Sequence, residues 1–284
     1  MLIEIRGTRL YVDQRGPEHA PALLYLHGGP GSGSYDFMSF QGGRLSRQLR
    51  LIGVDQRGVQ QSDPLDGPVT EHDLIADFEA LREALGLQSW SILGHSYGGR
   101  LALRYAVMHP DAVATVTFEN PPWDMVLVTD TLVRAALELL PEEKFPAHHG
   151  PATKTMWEER IALVGRLGGR RMEIYLSPAA KDLQLPADTD LSDEIQSRAR
   201  RFADEITRTP GFVESLLPQL SRITQPALLI KGEHDPVTSA DEIDRFRSDV
   251  PDGTYYFASG AGHFVHAEQP DTFAEIVSEF VLSR

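Results

Sequence analysis

Six apolar runs of strand length recur along the chain, and each ends in a turn signal. They are ALLYLHGG, RLIGVDQRG, WSILGHSYGG, AVATVTFENPP, PALLIKGEHD and TYYFASGAGH. Most lack the polar alternation of a half-exposed strand, which fits strands buried on both faces of a parallel sheet. Helix-like stretches such as TEHDLIADFEALREALGL (residues 70–87) lie between them, and another, DTFAEIVSEFVL (residues 271–282), follows the last run. The alternation predicts an α/β fold: a mostly parallel twisted sheet with flanking helices and right-handed crossovers.

The middle of the chain breaks this alternation. From Pro121 to about Arg222 the sequence has charge-rich helical patterns and no convincing strand. We therefore predict a core made of residues 1–121 and 223–284, with residues 122–222 inserted as a helical cap. Such an insert would lie over the carboxyl edge of the sheet, where open α/β sheets bind ligands. The alternative is a helical excursion without a gating role.

Composition excludes several classes of function. The chain has no cysteine, so it has neither a thiolate nucleophile nor a disulfide framework. Its net charge of −14 disfavours binding to nucleic acid or to anionic membranes. No apolar run approaches the roughly 20 residues that span a bilayer, and the N-terminal stretch lacks the pattern of a signal peptide. We expect a cytoplasmic protein whose partner is a small-molecule or short-peptide substrate; homo-oligomerisation stays open.

A G-x-S-x-G motif, Gly94-His95-Ser96-Tyr97-Gly98, lies between an apolar strand and a predicted helix at residues 100–110. In this context the motif predicts a sharp strand-to-helix turn that exposes the serine at the helix N-terminus. Glycines on both sides avoid Cβ collisions in so tight a turn. Ser96 is therefore the candidate nucleophile, and the alternative is an ordinary turn serine.

A serine hydroxyl needs a base to remove its proton. For a strand–serine–helix turn, the expected chain order is serine, then a carboxylate, then histidine. Asp235 follows one late strand in KGEHDPV, and His263 follows the next in ASGAGHFVH. Both come at the carboxyl ends of strands, and hence at the same edge as Ser96. We predict a triad in which Asp235 fixes the tautomer of the His263 imidazole.

Two alternatives involve the same edge of the sheet. Glu119 also ends a strand, in TFENPP, and is an alternative acid. A metal set is conceivable in principle from His234, Asp235, His263 and His266. No helical H-E-x-x-H accompanies these residues, and the triad already uses two of them. We therefore predict neither a metal nor a cofactor.

Other chemically capable residues are expected to be structural. His95, inside the elbow motif, is expected to be packed and hydrogen-bonded, and His148-His149 to lie in an exposed loop of the cap. The basic clusters GRLGGRRM (residues 165–172) and RARR (residues 198–201) have acidic neighbours. They indicate solvated helix faces, with phosphate binding as the alternative.

The stretch YLHGGPGSGSYDF (residues 25–37) places glycines and a proline directly behind an apolar run. A serine that attacks a carbonyl creates an oxyanion, which needs preorganised N–H donors. One donor is expected to be the backbone N–H of Tyr97, the residue after the nucleophile. The second is predicted from this glycine loop: Gly29, with Gly28 as the alternative.

Together these motifs resemble the α/β-hydrolase superfamily and, within it, the proline iminopeptidase-like serine hydrolases. The resemblance covers roughly residues 1–120 and 224–284. It rests on HGGPG (residues 27–31), DQRG (residues 55–58), GHSYGG (residues 94–99), GEHDPV (residues 232–237) and GAGH (residues 260–263). It implies hydrolysis through an acyl-enzyme without a cofactor, and a structural role for Arg57.

The chain departs from that group's usual motifs. The elbow reads G-H-S-Y-G instead of G-G-S-W-G, three residues separate the DQRG turn from Ser62, and only MWEER echoes the cap's tryptophan and glutamate signature. In the family the cap binds the substrate's amino group, which is mostly cationic at pH 7. An aminopeptidase would therefore aim cap carboxylates at the pocket. The candidate substrate-binding residues are Gly28, Trp157, Glu158, Glu205 and Glu214, and further carboxylates are Glu159, Glu173 and Asp204.

Three functions remain open from the sequence. The first is an aminopeptidase of proline iminopeptidase type on short peptides. The second is a carboxylesterase or another acyl hydrolase, including one that cleaves C–C bonds, which would need none of the cap carboxylates. The third is a ligand-binding protein that retains the pocket as a receptor.

Overall fold

The computed structural model describes residues 1–144 and 153–284. Within them, one sheet has eight strands in the spatial order β1-β2-β4-β3-β5-β6-β7-β8. The strands are β1 (Leu2–Ile5), β2 (Thr8–Arg15), β3 (Ala22–Leu26), β4 (Arg50–Val54), β5 (Trp90–His95), β6 (Val113–Glu119), β7 (Ala227–Gly232) and β8 (Gly253–Ala258). Strands β3 to β8 pair in parallel, while β1 and β2 pair antiparallel at one edge. The predicted mostly parallel sheet is confirmed.

Helices cover both faces of the sheet. Those of the core are α1 (Tyr35–Leu45), α2 (Glu71–Ala84), α3 (Tyr97–Met108), α8 (Ala240–Asp249), α9 (Val265–Glu268) and α10 (Pro270–Leu282). Successive residues of β3 point to opposite faces: Leu23 packs in the cluster that contains Phe273 of α10, and Leu24 in the cluster that contains Phe78 of α2. Each such fully buried side chain contributes about 1.5–3 kcal/mol. This two-sided burial explains why the strand sequences lack polar alternation.

Helix α2 illustrates how local sequence sets an element's limits. Thr70 accepts a hydrogen bond from the Asp73 N–H, and the Asp73 side chain accepts one from the Thr70 N–H. This reciprocal cap satisfies two N–H groups that a helix start would leave without partners. The helix ends at Ala84, close to Gly86, which adopts a φ of 67°. A glycine in that conformation is a common helix stop.

The described residues between β6 and β7 form helices and no strand. They include α4 (Met125–Leu139), α5 (Lys154–Gly165), α6 (Ala187–Asp190), α7 (Asp193–Arg208) and several short 3₁₀ turns. The exact cap boundaries, 122 and 222, stay predictions, and His148-His149 lies outside the described residues. Across the described ranges, no helix is both long and apolar enough to cross a bilayer.

Candidate active site

Ser96 lies at the turn between β5 and α3, with φ of 50° and ψ of −126°. A non-glycine residue at positive φ is strained, and such strain is concentrated at functional sites. The flanking glycines allow the turn: a Cβ on Gly94 would lie 2.4 Å from the Gly98 carbonyl oxygen, and one on Gly98 would lie 2.0 Å from the Leu26 carbonyl oxygen. The chain therefore presents a partly exposed serine on a tightly fixed backbone.

His263 and Asp235 are joined by a hydrogen bond at the carboxyl edge of the sheet. The Nδ1 of His263 lies 2.6 Å from Oδ1 of Asp235. Because an ionised carboxylate only accepts hydrogen bonds, Nδ1 carries the proton and leaves Nε2 as the acceptor. Ser96 and His263 line the same cavity. The structure thus puts Asp235 and His263 in direct contact and places Ser96 in the cavity that His263 lines.

Asp235 is held in its charged form although it is buried. Burial alone would raise its pKa, but His263, Lys231 and the N–H of Thr238 outweigh that effect, so the pKa of Asp235 is lowered. Lys231 Nζ lies 3.3 Å from Asp235 Oδ2, and the N–H of Thr238 donates to the same oxygen at 2.9 Å. A charged carboxylate in this place would stabilise an imidazolium formed at His263.

Glu119, the alternative acid, bonds other histidines. Its carboxylate accepts from His266 Nδ1 at 2.9 Å and from the His266 backbone N–H at 2.9 Å. His95 Nδ1 lies 3.2 Å from Glu119 Oε2 but not in hydrogen-bond geometry. Burial lowers the pKa of His95 to about 4. Burial on its own would raise the pKa of Glu119. The neighbouring His266 and His95 outweigh this effect and hold the pKa of Glu119 below the usual range.

These contacts also bear on the conceivable metal set. Among the described residues, one group of three potential ligands has its ligand atoms within 4.8 Å of one another, namely His95, Glu119 and His266. The structure does not bring His234 into that group, and His263 is engaged with Asp235. Hydrogen bonds between Glu119 and His266 already account for the closest contacts.

Asn120 connects the loops that carry Asp235 and His263. Its Nδ2 donates to the His263 carbonyl at 2.8 Å, and its Oδ1 accepts from the Gly232 N–H at 2.9 Å. Asn120 is buried and has a φ of 46°, a conformation that asparagine tolerates better than most residues. We infer that Asn120 is a positioning residue for the acid–base pair.

Replacing Asn120 with aspartate is expected to lower kcat by about 10–100-fold with little change in KM, since small misplacements of reacting groups are costly. Aspartate keeps the acceptor for Gly232 but turns an oxygen toward the His263 carbonyl. Steady-state kinetics and thermal melting of Asn120→Asp and Asn120→Gly check this expectation. If the loss of kcat in each variant equals the fraction of protein that is unfolded at the assay temperature, the positioning role of Asn120 is contradicted.

The glycine loop packs against Ser96. A Cβ on Gly28 would lie 2.9 Å from the Ser96 Cβ, and Gly29 adopts a φ of 110°. Both glycines line the cavity, as does Tyr97. Among the described residues, no acceptor bonds the N–H of Gly28 or Gly29. Gly28 therefore packs against Ser96, Gly29 lines the same cavity, and the predicted oxyanion donors, including the choice between Gly29 and Gly28, stay predictions.

Buried polar side chains fix that loop to the DQRG turn. His27 Nδ1 lies 3.0 Å from the Gly28 carbonyl, and His27 Nε2 accepts from the Gln56 N–H at 3.2 Å. Asp55 accepts from both the N–H and the hydroxyl of Ser34 at 2.8 Å. Burial lowers the pKa of His27 to about 4, so this histidine is neutral at pH 7. Arg57 pairs with Asp77 on α2 at 2.6 Å, outside the cavity lining.

The cavity above Ser96 encloses about 510 Å³. Its upper walls come from the helices after β6 and are mainly apolar, with Met125, Val128, Leu132, Trp157, Ile161, Met172, Leu185 and Phe212 among them. The predicted Trp157 is thus in the lining, where its ring packs 5.1 Å from that of Phe212. Besides histidines, the charged residues in the described lining are Asp36 and Arg171.

The predicted cap carboxylates lie elsewhere. None of the six carboxylates named from the sequence is in the cavity lining. Glu205 pairs with Arg208 at 3.0 Å, Glu214 pairs with Arg104 at 3.1 Å, and Glu158 lies 4.0 Å from the Lys154 Nζ. A role for these three in binding an amine stays a prediction.

Sequence reasoning missed two residues that the structure places at the site. Asp36, in the first turn of α1, lines the cavity and accepts from the Ala187 N–H at 2.7 Å. In the sequence, the only indication of a role for Asp36 was its position in the glycine-rich stretch of residues 25–37. Asn120 had one signal, an asparagine immediately after a strand, because asparagine tolerates the left-handed conformation better than most residues.

Comparisons with known proteins agree with this architecture. The α/β hydrolase fold family matches residues 21–270. A proline iminopeptidase of Xylella fastidiosa (strain 9a5c) is 43% identical over 277 residues, covering 90% of this chain and 87% of that protein. The alignment therefore spans most of both chains.

Solved structures show the same fold. The proline iminopeptidase of Mycobacterium smegmatis superposes with a TM-score of 0.71 at 22% identity, covering 100% of this chain and 97% of that one. An esterase from Exiguobacterium antarcticum gives 0.71 at 19% identity, covering 99% of each chain. Because one fold hosts several activities, these likenesses do not decide the substrate. The chain is an α/β hydrolase that belongs to the proline iminopeptidase-like branch of that family.

Proposed function

We propose that the chain is a serine hydrolase that cleaves amide or ester bonds through an acyl-enzyme. Ser96 attacks the carbonyl carbon while His263 removes its proton and Asp235 stabilises the imidazolium. The N–H groups of Tyr97 and Gly29 stabilise the oxyanion. His263 then protonates the leaving group, and a water activated by the same histidine releases the acyl group. No cofactor takes part in this scheme.

One observation carries this proposal: a serine at positive φ on the cavity floor, in the same cavity as a histidine bonded to a buried carboxylate. An ordinary turn serine would need neither flanking glycines whose Cβ positions are blocked by backbone atoms nor a shared cavity with such a pair.

The first substrate class that we propose is short peptides with a free N-terminal amine, as the name of the Xylella relative indicates. A peptide amine is mostly cationic at pH 7 and needs a carboxylate partner. Asp36 supplies one on the cavity wall. We propose that Asp36, rather than the cap glutamates, binds this amine in a cytoplasmic aminopeptidase.

The second candidate is a carboxylesterase or another acyl hydrolase. The mainly apolar cap wall favours it, because a neutral acyl group gains free energy from apolar burial and needs no carboxylate. A receptor that retains the pocket would bind such compounds without hydrolysing them.

A side-by-side assay separates these functions. It compares aminoacyl arylamides, with proline first, against aryl esters of the same acyl groups, each with and without N-acetylation. An aminopeptidase loses activity on N-acetylation, whereas an esterase does not. Binding without hydrolysis across both panels contradicts the proposed enzyme.

Replacing Asp36 with asparagine is expected to raise KM for the free-amine substrates by about 10–100-fold, the value of a hydrogen bond to a charged group. Asparagine keeps an oxygen acceptor for the Ala187 N–H, and thermal melting checks that the variant stays folded. Glu158→Gln, on the exposed side of α5, is the matched control and is expected to behave as wild type. Equal losses on free and N-acetylated substrates contradict the role of Asp36.

A further inference from the structure

Two adjacent arginines near the cavity have different surroundings. Arg170 pairs with Glu173 at 2.9 Å and donates to the Leu139 carbonyl at 3.2 Å, so its guanidinium is used within the cap. Arg171 lines the cavity, and within the described parts of the chain it forms no ion pair or hydrogen bond. It is also the one lining residue, among those described, with a permanent positive charge.

The segment that carries Arg171 continues to the predicted base. Arg171 lies in the 3₁₀ helix Gly168–Ile174. Tyr175, the first residue after this helix, also lines the cavity. The Tyr175 carbonyl accepts from the His263 N–H at 2.7 Å, and its ring centroid lies 5.3 Å from that of His263. This wall of the cavity is therefore the His263 side.

Chemistry decides which part of a substrate meets that wall. In the proposed reaction His263 donates a proton to the leaving group, so the leaving group must lie beside its imidazole. A group attached to the leaving amine or alcohol then extends along the Tyr175 segment toward Arg171. A guanidinium matches a carboxylate with two parallel N–H···O bonds.

We propose that Arg171 binds a carboxylate on the leaving group, and that the preferred substrates are short peptides whose free C-terminus lies close to the scissile bond. This inference rests on the proposed serine hydrolase function. The chain as a whole carries a charge of −14, so it repels anionic substrates unless a local cation receives them. Arg171 supplies that cation at the cavity wall.

The test uses matched leaving groups. Proline amides of 4-aminobenzoate and 4-aminobenzamide differ only by a carboxylate and a neutral carboxamide at the far end of the ring. Acyl esters of 4-hydroxybenzoate and 4-hydroxybenzamide form the same pair for an esterase. Kinetics are measured for wild type, Arg171→Gln, Arg171→Lys and the control Arg170→Gln. Comparing each variant with wild type cancels the intrinsic reactivity of the two leaving groups.

Arg171→Gln is expected to raise KM for the carboxylate member by about tenfold and to leave KM for the carboxamide unchanged. Arg171→Lys is expected to retain part of the preference for the carboxylate substrate. Added salt should weaken that preference in wild type. Arg170→Gln should behave as wild type. If Arg171→Gln changes KM equally for the carboxylate and the carboxamide substrates, or changes neither KM, the inference is overturned.

Failure of the proposed function has a different signature. In that case wild-type protein hydrolyses none of the four compounds. Titration calorimetry of the same intact compounds then compares wild type with Arg171→Gln. If wild type binds the carboxylate compound more tightly than the carboxamide and Arg171→Gln does not, the proposed role of Arg171 is supported. If wild type binds the two compounds equally, that role is overturned.

Discussion

Replacing Ser96 with alanine is expected to lower kcat by about 10⁴-fold or more while the protein stays folded. The hydroxyl oxygen is the atom that forms the acyl-enzyme in the proposed reaction, and no neighbouring group replaces it. Residual turnover would come from the oxyanion donors and from substrate binding. Because alanine also has a Cβ, it bears the same positive-φ strain as serine, and the melting temperature is expected to change little.

The control is Ser32→Ala, which removes the other serine of the described cavity lining. This variant is expected to keep most of its turnover. A serine-reactive fluorophosphonate should label wild type and Ser32→Ala but not Ser96→Ala, as intact-mass spectrometry would show. Wild-type rates in Ser96→Ala would remove the basis of the proposed function.

The sheet was readable from sequence where strands are buried on both faces. Strand β3, for example, is an unbroken apolar run that ends in His27 and two glycines, and every one of its residues is buried. Strands β1 and β2 were missed, since they alternate exposed and buried residues at the sheet edge and lack the strong apolar signal of the central strands. Their antiparallel pairing was therefore not predicted.

The positions of Ser96, Asp235 and His263 were predictable because a parallel sheet collects the ends of its strands at one edge. The partners of Glu119 were not predictable by that argument. Glu119 and Asp235 end neighbouring strands and have the same chemistry, so only the paths of the following loops decide which histidine each one meets. The cap is harder still, because its carboxylates face solvent or the cavity according to helix rotation, which the sequence pattern did not fix.

Replacing Asp235 with asparagine is expected to lower kcat by about 10³–10⁴-fold, while Glu119→Gln keeps turnover close to wild type. An amide at position 235 no longer supplies the negative charge that stabilises the imidazolium, and it favours the wrong His263 tautomer. Glutamine at position 119 keeps an acceptor for the His266 N–H and has no contact with His263. Steady-state kinetics of the two variants therefore distinguish the two carboxylates directly.

The same pair of variants separates catalysis from stability. Glu119→Gln is expected to lose about 1–3 kcal/mol of unfolding free energy at pH 7, because the buried hydrogen bond to His266 loses the negative charge of its acceptor. The folded-state pKa of Glu119 lies below its unfolded value, so its contribution is present above about pH 4.3 and is lost as the pH falls below that value. Denaturant melts at pH 7 and pH 3.5 should show the stability gap closing on acidification. If Glu119→Gln instead loses turnover while Asp235→Asn keeps it, the acid of the reaction is Glu119, since the charge that supports the imidazolium then comes from the end of β6.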